Sequence, residues 1–296
     1  MNPRKPNPAP SLKLIVYGMP LIFFLLTFAA MLKHKLYTTT NTLTALRPHN
    51  HHCNAPANII SQLEPLIAEE PLDVWEGLGK EESHIKYLPS MTDLSRHRRF
   101  IYIDLGARDY DSSIGSWFER RYPKQNKTFE IYAVEADASF HAQYAARRGV
   151  TLLPYAAWVR NETVVFGSKP IVVGSKVWRM RPFGRIEGEQ AAGDGMSAVV
   201  RVAAFDFAEW LRRTVREEDF VVVKMDVEGT EIELVRDLVR RGAMCLIDEL
   251  FMECHFDRYV KCCSGDRINR FNFSYPQCYN LFKELRDMGS VVHQWW

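Results

Sequence analysis

Charge of one sign is what this 296-residue chain lacks most: 38 Lys and Arg stand against 36 Asp and Glu, a formal net charge of +2. So small an imbalance draws in neither nucleic acid nor a strongly acidic partner. The aromatic residues also lack the interleaved basic residues of a single-strand binder. Any CxxC pair is missing too, so the six cysteines match no standard zinc ligand set, and no metal ligands are assigned. No internal repeat divides the chain. What is present, 47% hydrophobic and 25% charged residues, is ordinary globular composition with room for one full-size domain and appendages.

Charge vanishes altogether between Leu14 and Leu32, a run flanked by Lys13 and by Lys33, His34 and Lys35. A helix needs about 20 apolar residues to cross a bilayer, whereas the apolar core of a cleaved signal peptide is about 7 to 15 long. The length favours an uncleaved signal anchor. Arg4, Lys5, Lys13 and the amino terminus outweigh Lys33 and Lys35, which makes residues 1–13 a cytoplasmic tail and the protein single-pass type II. Asn-X-Ser/Thr sequons at Asn126, Asn161 and Asn272 all fall on the lumenal side of that anchor. In an oxidising lumen at least one disulfide is expected among Cys254, Cys262, Cys263 and Cys278. Cys245, inside an apolar run, is expected to stay a buried thiol. Residues 33–96, rich in Thr, Asn, Pro, His and Glu, read as a stem or linker, and the His49, His51, His52 and Cys53 group within it as solvated loop.

From residue 97 onward short apolar runs alternate with amphipathic stretches, the pattern of stacked βα units around a mainly parallel sheet. Strands are expected over 100–103, 131–134, 151–155, 221–225, 245–251 and 291–296. Residues 160–203, Val-rich and broken by Gly and Pro, suggest a small antiparallel insertion. Helices are expected around 114–121, from an Asp137 cap to before Gly149, over 205–213, from Thr230 to before Gly242, and from Pro276 to Gly289. Thr230 and Glu233 have capping-box spacing.

Open α/β sheets bind ligands beyond the carboxyl ends of their strands. The polar residues there are Asp104, Gly106, Arg108 and Asp109 after the first strand, and Glu135 and Asp137 after the second. Asp226 and Glu228 follow the fourth, and Glu253 and His255 the fifth. A glycine at 106 permits a tight turn against an adenosyl group, and a carboxylate at 135 can accept ribose hydroxyls.

The runs IYIDLGARDYDSSIGSWF, IYAVEAD, VVVKMDVEGTEIELV and CLIDELFMECH, in that order, resemble the FkbM family of S-adenosylmethionine-dependent methyltransferases. From Phe100 to the terminal VHQWW the chain also resembles a plant family of membrane-anchored methyltransferase-like proteins. One departure is visible: where FkbM-type loops carry a second glycine, this chain has Tyr110. The resemblance implies a Rossmann-like methyltransferase fold over 97–296 and S-adenosylmethionine as cofactor, held by Asp104, Gly106, Arg108, Glu135, Asp226 and Glu228. His255, Glu253 or Asp226 would take a proton from a hydroxyl acceptor, a small molecule or a glycan, in the Golgi lumen. Two other readings fit the layout: a lumenal glycosyltransferase using Asp109 and Asp111 as an Asp-X-Asp metal site, and a non-catalytic binding module on the same fold.

Overall fold

The computed structural model describes Cys53, Ala55 and residues 57–68, 84–168, 172–173, 176–177, 184–187, 198–256 and 273–295. The expected tail and anchor, His49 to His52, Cys262, Cys263 and Asn272 lie outside them. Among the described residues no helix is long and apolar enough to cross a membrane.

Three strands open the domain, β1 (Phe100–Leu105), β2 (Glu130–Val134) and β3 (Val150–Leu153). The insertion follows with β4 (Ala156–Trp158), β5 (Glu162–Ser168), β6 (Val172–Val173), β7 (Lys176–Val177), β8 (Gly184–Glu187) and β9 (Ala198–Asp206). Three more, β10 (Phe220–Met225), β11 (Glu249–Met252) and β12 (Val291–Gln294), complete the set. The six outer members of this list pair, all parallel, in the order β12-β11-β10-β1-β2-β3. That is the strand order of doubly wound, Rossmann-like sheets, with its reversal between β1 and β10. Every residue of those two strands is buried, as central strands covered on both faces must be.

The insertion is a mixed sheet, ordered β4-β9-β5-β8, rather than a purely antiparallel one: β5 runs antiparallel to β8 and β9, but β4 runs parallel to β9. Among the described residues the α-helices are α1 (Ala57–Ile60), α2 (Phe207–Thr214), α3 (Glu231–Arg240) and α4 (Tyr275–Asp287). In α3 the spacing of Ile232, Val235, Leu238 and Val239 buries one face, as the sequence leads one to expect. Two expected helices shrink to single turns. Residues 114–118 form a π-helical turn, closed by bonds such as Phe118 N–H to Ser113 O at 3.0 Å, and 138–143 a 3-10 turn capped by Asp137. The strand expected from Cys245 starts only at Glu249, because Met244–Leu246 is a 3-10 turn.

Two expectations need correction. The stem does not run to residue 96: Ile59, Leu63, Ile85, Leu88 and Leu94 are buried in the main core with Tyr102, Trp117 and Phe251. The apolar residues of 57–68 and 84–96 have a core face to cover, so these stretches fold with the domain. Cys245 is no buried thiol either; placed on an exposed turn ahead of β11, it is disulfide-bonded to Cys53. Cys254 pairs with Cys278, within the group expected to form a bridge. Of the sequons, Asn126 and Asn161 are exposed at turns.

Candidate functional site

At the strand-order reversal, the loops after β1, β2 and β10 meet. Gly106 has φ +79°, and a Cβ there would lie 1.9 Å from the carbonyl oxygen of Asp226, so only glycine lets the two loops touch. Its N–H and that of Ala107 both donate to Val134 O at 3.0 Å, tying the first loop to the end of β2. Beside them opens a small, partly enclosed cavity. One wall holds Gly106 and Glu135, the other Asp226, Val227 and Thr230, and the insertion supplies Tyr155, Ala157, Phe166 and Ile186 as an apolar cover. A few polar groups converging on a mostly apolar lining is what small-molecule sites look like.

Glu135 is buried, and its carboxylate accepts from the N–H of Arg108 and of Asp137, both at 2.6 Å. Burial raises its pKa, and those two bonds oppose the rise. Thr230 is 8% exposed, and its hydroxyl has no hydrogen-bond partner among the described residues. As the N-cap residue of α3 it does not form the expected capping box. The reason is tertiary: Glu231 takes over the preceding loop, accepting from Val227 N–H at 3.0 Å and Gly229 N–H at 3.1 Å, and its Oε1 sits 2.8 Å from His255 Nδ1.

Asp104 lies under the loop, fully buried, and is not a lining residue. It accepts from Ser113 Oγ and faces Lys224 Nζ at 3.5 Å; Lys224 in turn is 3.5 Å from Asp226. Burial raises the Asp104 pKa against the pull of Lys224. For Lys224, burial lowers the pKa but the charges of Asp104 and Asp226 outweigh it, so the ammonium stays charged. Around His255 stand Glu228 Oε2 at 3.4 Å, Glu253 Oε1 at 3.6 Å and Asp226 Oδ1 at 3.9 Å from Nε2. Burial lowers the imidazole pKa, yet Glu231 and Glu253 raise it to about 10. A charged imidazole is no general base at neutral pH. Burial, with Asp226 adding to it, lifts Glu253 to about 7.

A family model described as a domain of unknown function, DUF7870, matches residues 60–169 and 182–296, well over half of the chain. The chain belongs to the DUF7870 family. No curated protein and no solved structure matches it. The DUF7870 match begins at residue 60, inside the stretch that packs onto the core ahead of β1.

Of the residues that the sequence nominates, this DUF7870 chain brings Gly106, Glu135 and Asp226 to the cavity wall. Glu228, Glu253 and His255 gather behind Asp226. Arg108, at φ +49°, gives its backbone N–H to Glu135 and sets its Nε 3.8 Å from Asp109, away from the cavity lining. Asp109 and Asp111 do not line the cavity. Neither does Tyr110, which is buried beneath Arg147 and lies close over Gly115, so its ring does not fill the cavity. Sequence reasoning missed Thr230 as a lining group, Glu231 as the partner of His255, and the cover made by Phe166 and Ile186. Only Lys224, the one charge in an apolar strand, signalled itself.

Proposed function

We propose that this chain is an S-adenosylmethionine-dependent O-methyltransferase of FkbM type, anchored by its N-terminus with the domain in the Golgi lumen, acting on a hydroxyl of a small molecule or glycan. The observation that carries the reading is the cavity at the β1/β10 reversal, where Gly106, Glu135, Asp226 and the unpartnered Thr230 hydroxyl meet under an apolar cover. When bound, the cofactor supplies a methyl group on a cationic sulfonium. The residues fit it. Glu135 stands where a ribose is held in doubly wound folds, and each of its oxygens accepts one backbone N–H, leaving a lone pair for a hydroxyl. Ala157, Phe166 and Ile186 offer apolar surface for a base, and Asp226 brings negative charge toward a cationic centre. In methyl transfer the enzyme mainly aligns its acceptor and accepts a proton. Asp226 on the wall, with Glu253 beside it, suits that duty better than the charged His255.

Calorimetric titration of the full chain, oxidised and glycosylated, with S-adenosylmethionine and with its demethylated product tests this. Glu135→Gln should weaken binding by roughly 10- to 150-fold, the value of one charge-assisted hydrogen bond. Thr230→Val, which removes only an unpartnered hydroxyl, should bind about tenfold worse while melting no lower than wild type. Wild-type protein that binds neither compound overturns the reading, and unchanged affinity in both variants overturns the placement in this cavity.

A further inference from the structure

The carboxylates behind Asp226 surround an imidazole in a way the methyl-transfer reading does not require. Among the described residues Asp226, Glu228 and His255 form the group whose ligand atoms all lie within 4.8 Å of one another. Glu253 Oε1 adds a further oxygen 3.6 Å from the same Nε2. Separations of 3.4 to 3.9 Å are longer than hydrogen bonds. They lie between the roughly 3.0 Å of adjacent ligand atoms and the roughly 4.2 Å of opposite ones around an octahedral ion bonded at about 2.1 Å.

A second feature concerns the imidazole's other nitrogen. Metal-bound histidines almost always hand that nitrogen to a carboxylate or carbonyl, which fixes the ring and raises its basicity. Here Nδ1 lies 2.8 Å from Glu231 Oε1, and Glu231 is itself fastened by the N–H groups of Val227 and Gly229. The ring is thereby aimed with Nε2 toward Asp226, Glu228 and Glu253. A third feature is the Thr230 hydroxyl, buried on the lining that Asp226 shares and without a hydrogen-bond partner among the described residues.

We infer that Asp226, Glu228, His255 and Glu253 bind one divalent cation at the edge of the cavity, oriented through Glu231. One imidazole among carboxylates suits a cation of intermediate to hard character, divalent manganese above all, and gives no thiolate to select zinc. Binding requires the imidazole to surrender its proton, which the metal charge offsets. Because Asp226 belongs to both the cluster and the cavity wall, the ion's open positions face an oxygen-bearing ligand. If the methyl-transfer reading holds, and on that reading alone, the ligand is an acceptor whose hydroxyl and a neighbouring oxygen chelate the ion, which acidifies the hydroxyl.

The test uses divalent manganese alone, without cofactor, on the purified full chain followed by electron paramagnetic resonance. Wild type should bind one ion and show the nitrogen hyperfine coupling of a directly bound imidazole. Glu228→Gln should weaken binding at least tenfold, Glu231→Gln by roughly 10- to 100-fold through the lost orientation of the ring, and His255→Gln should abolish the nitrogen signal. Asp109→Asn, in the Asp-X-Asp segment away from the cavity, should change nothing. Absence of a stoichiometric site in folded wild type, or a site without nitrogen coupling, overturns the proposal whatever the variants do. Manganese binding in protein that ignores S-adenosylmethionine would leave the cation site standing and remove the methyl-transfer reading.

Discussion

Lys224 is the only charged residue of β10, and strand register sets it directly opposite Asp104 of β1. Both are buried, so each offsets the other's loss of water, with Asp226 sharing the ammonium. Removing one member of a buried pair costs about 3 to 5 kcal/mol, since the remaining charge has no water to turn to. Lys224→Met should therefore lose that much stability in denaturant titration, and adding Asp104→Asn should restore part of it. A loss within error of zero would mean that water reaches Asp104. The sequence displayed the lone lysine in its apolar run, but not its partner, because pairing across parallel strands is a matter of register between segments 120 residues apart. Gly106 shows the same limit. Its need for a tight turn was legible, whereas the reason, the Asp226 carbonyl 1.9 Å from where a Cβ would be, is tertiary. Glu231 lies in the helix expected from Thr230, but its contact with His255, 24 residues on, is again tertiary.

At the scale of elements, the strongly periodic ones were legible and the short ones were not. Strands β1 and β10 and helix α3 bury continuous or 3.6-spaced apolar residues, so local pattern and tertiary need coincide. Residues 114–118 carry helical spacing too, but Gly115 sits beneath the Tyr110 ring, where a Cβ would meet Cε1 at 2.7 Å, and the chain closes i to i+5 bonds there instead. Residues 57–68 look like linker because the segment around them is polar, though Ile59 and Leu63 pack on the core and one charged residue ties them further. Glu64 bonds His293 Nδ1 and Arg286, both at 2.9 Å, while His293 Nε2 is 3.0 Å from Glu249. Burial raises the Glu64 pKa but His293 outweighs it, bringing it down to about 2. For His293 burial lowers the pKa and the bonds to Glu249 and Glu64 raise it to about 9. A histidine raised from 6.5 contributes stability that is full below about pH 6.5 and is lost as pH climbs through 9, on the order of 3 kcal/mol. Melting temperature should fall between pH 6.5 and 9.5 in wild type and fall less steeply in His293→Gln. Equal slopes would show that the imidazole is not charged in the folded state.

At the scale of the molecule, two disulfides among the described residues fasten segments that the sheet alone would leave loosely tied. Cys254–Cys278 links the end of β11 to α4 across a separation of 24 residues, within a group whose crowding made a bridge, though not its partners, legible. Cys53–Cys245 spans 192 residues and joins the chain ahead of α1 to the turn before β11, which no local pattern could announce. The amino-terminal partner is held by more than sulfur, since Cys53 N–H donates to Met288 O at 2.9 Å and its own carbonyl lies against Gly289. A cross-link restricts the unfolded chain more as its loop lengthens, by about 3/2 RT times the logarithm of the length ratio. For these two loops the difference is about 2 kcal/mol in favour of the longer. Cys53→Ser should therefore lower the melting temperature more than Cys254→Ser, by roughly 4 to 8 °C given about 2 to 4 °C per kcal/mol in a domain of this size. The comparison belongs in the oxidised, full chain, with mass mapping to verify that the untouched bridge stays closed. The reverse order would mean that native packing around Cys53 keeps the amino-terminal segment in place without the bond, so that the anchorage rests on Glu64, His293 and the buried face of Ile59 and Leu63.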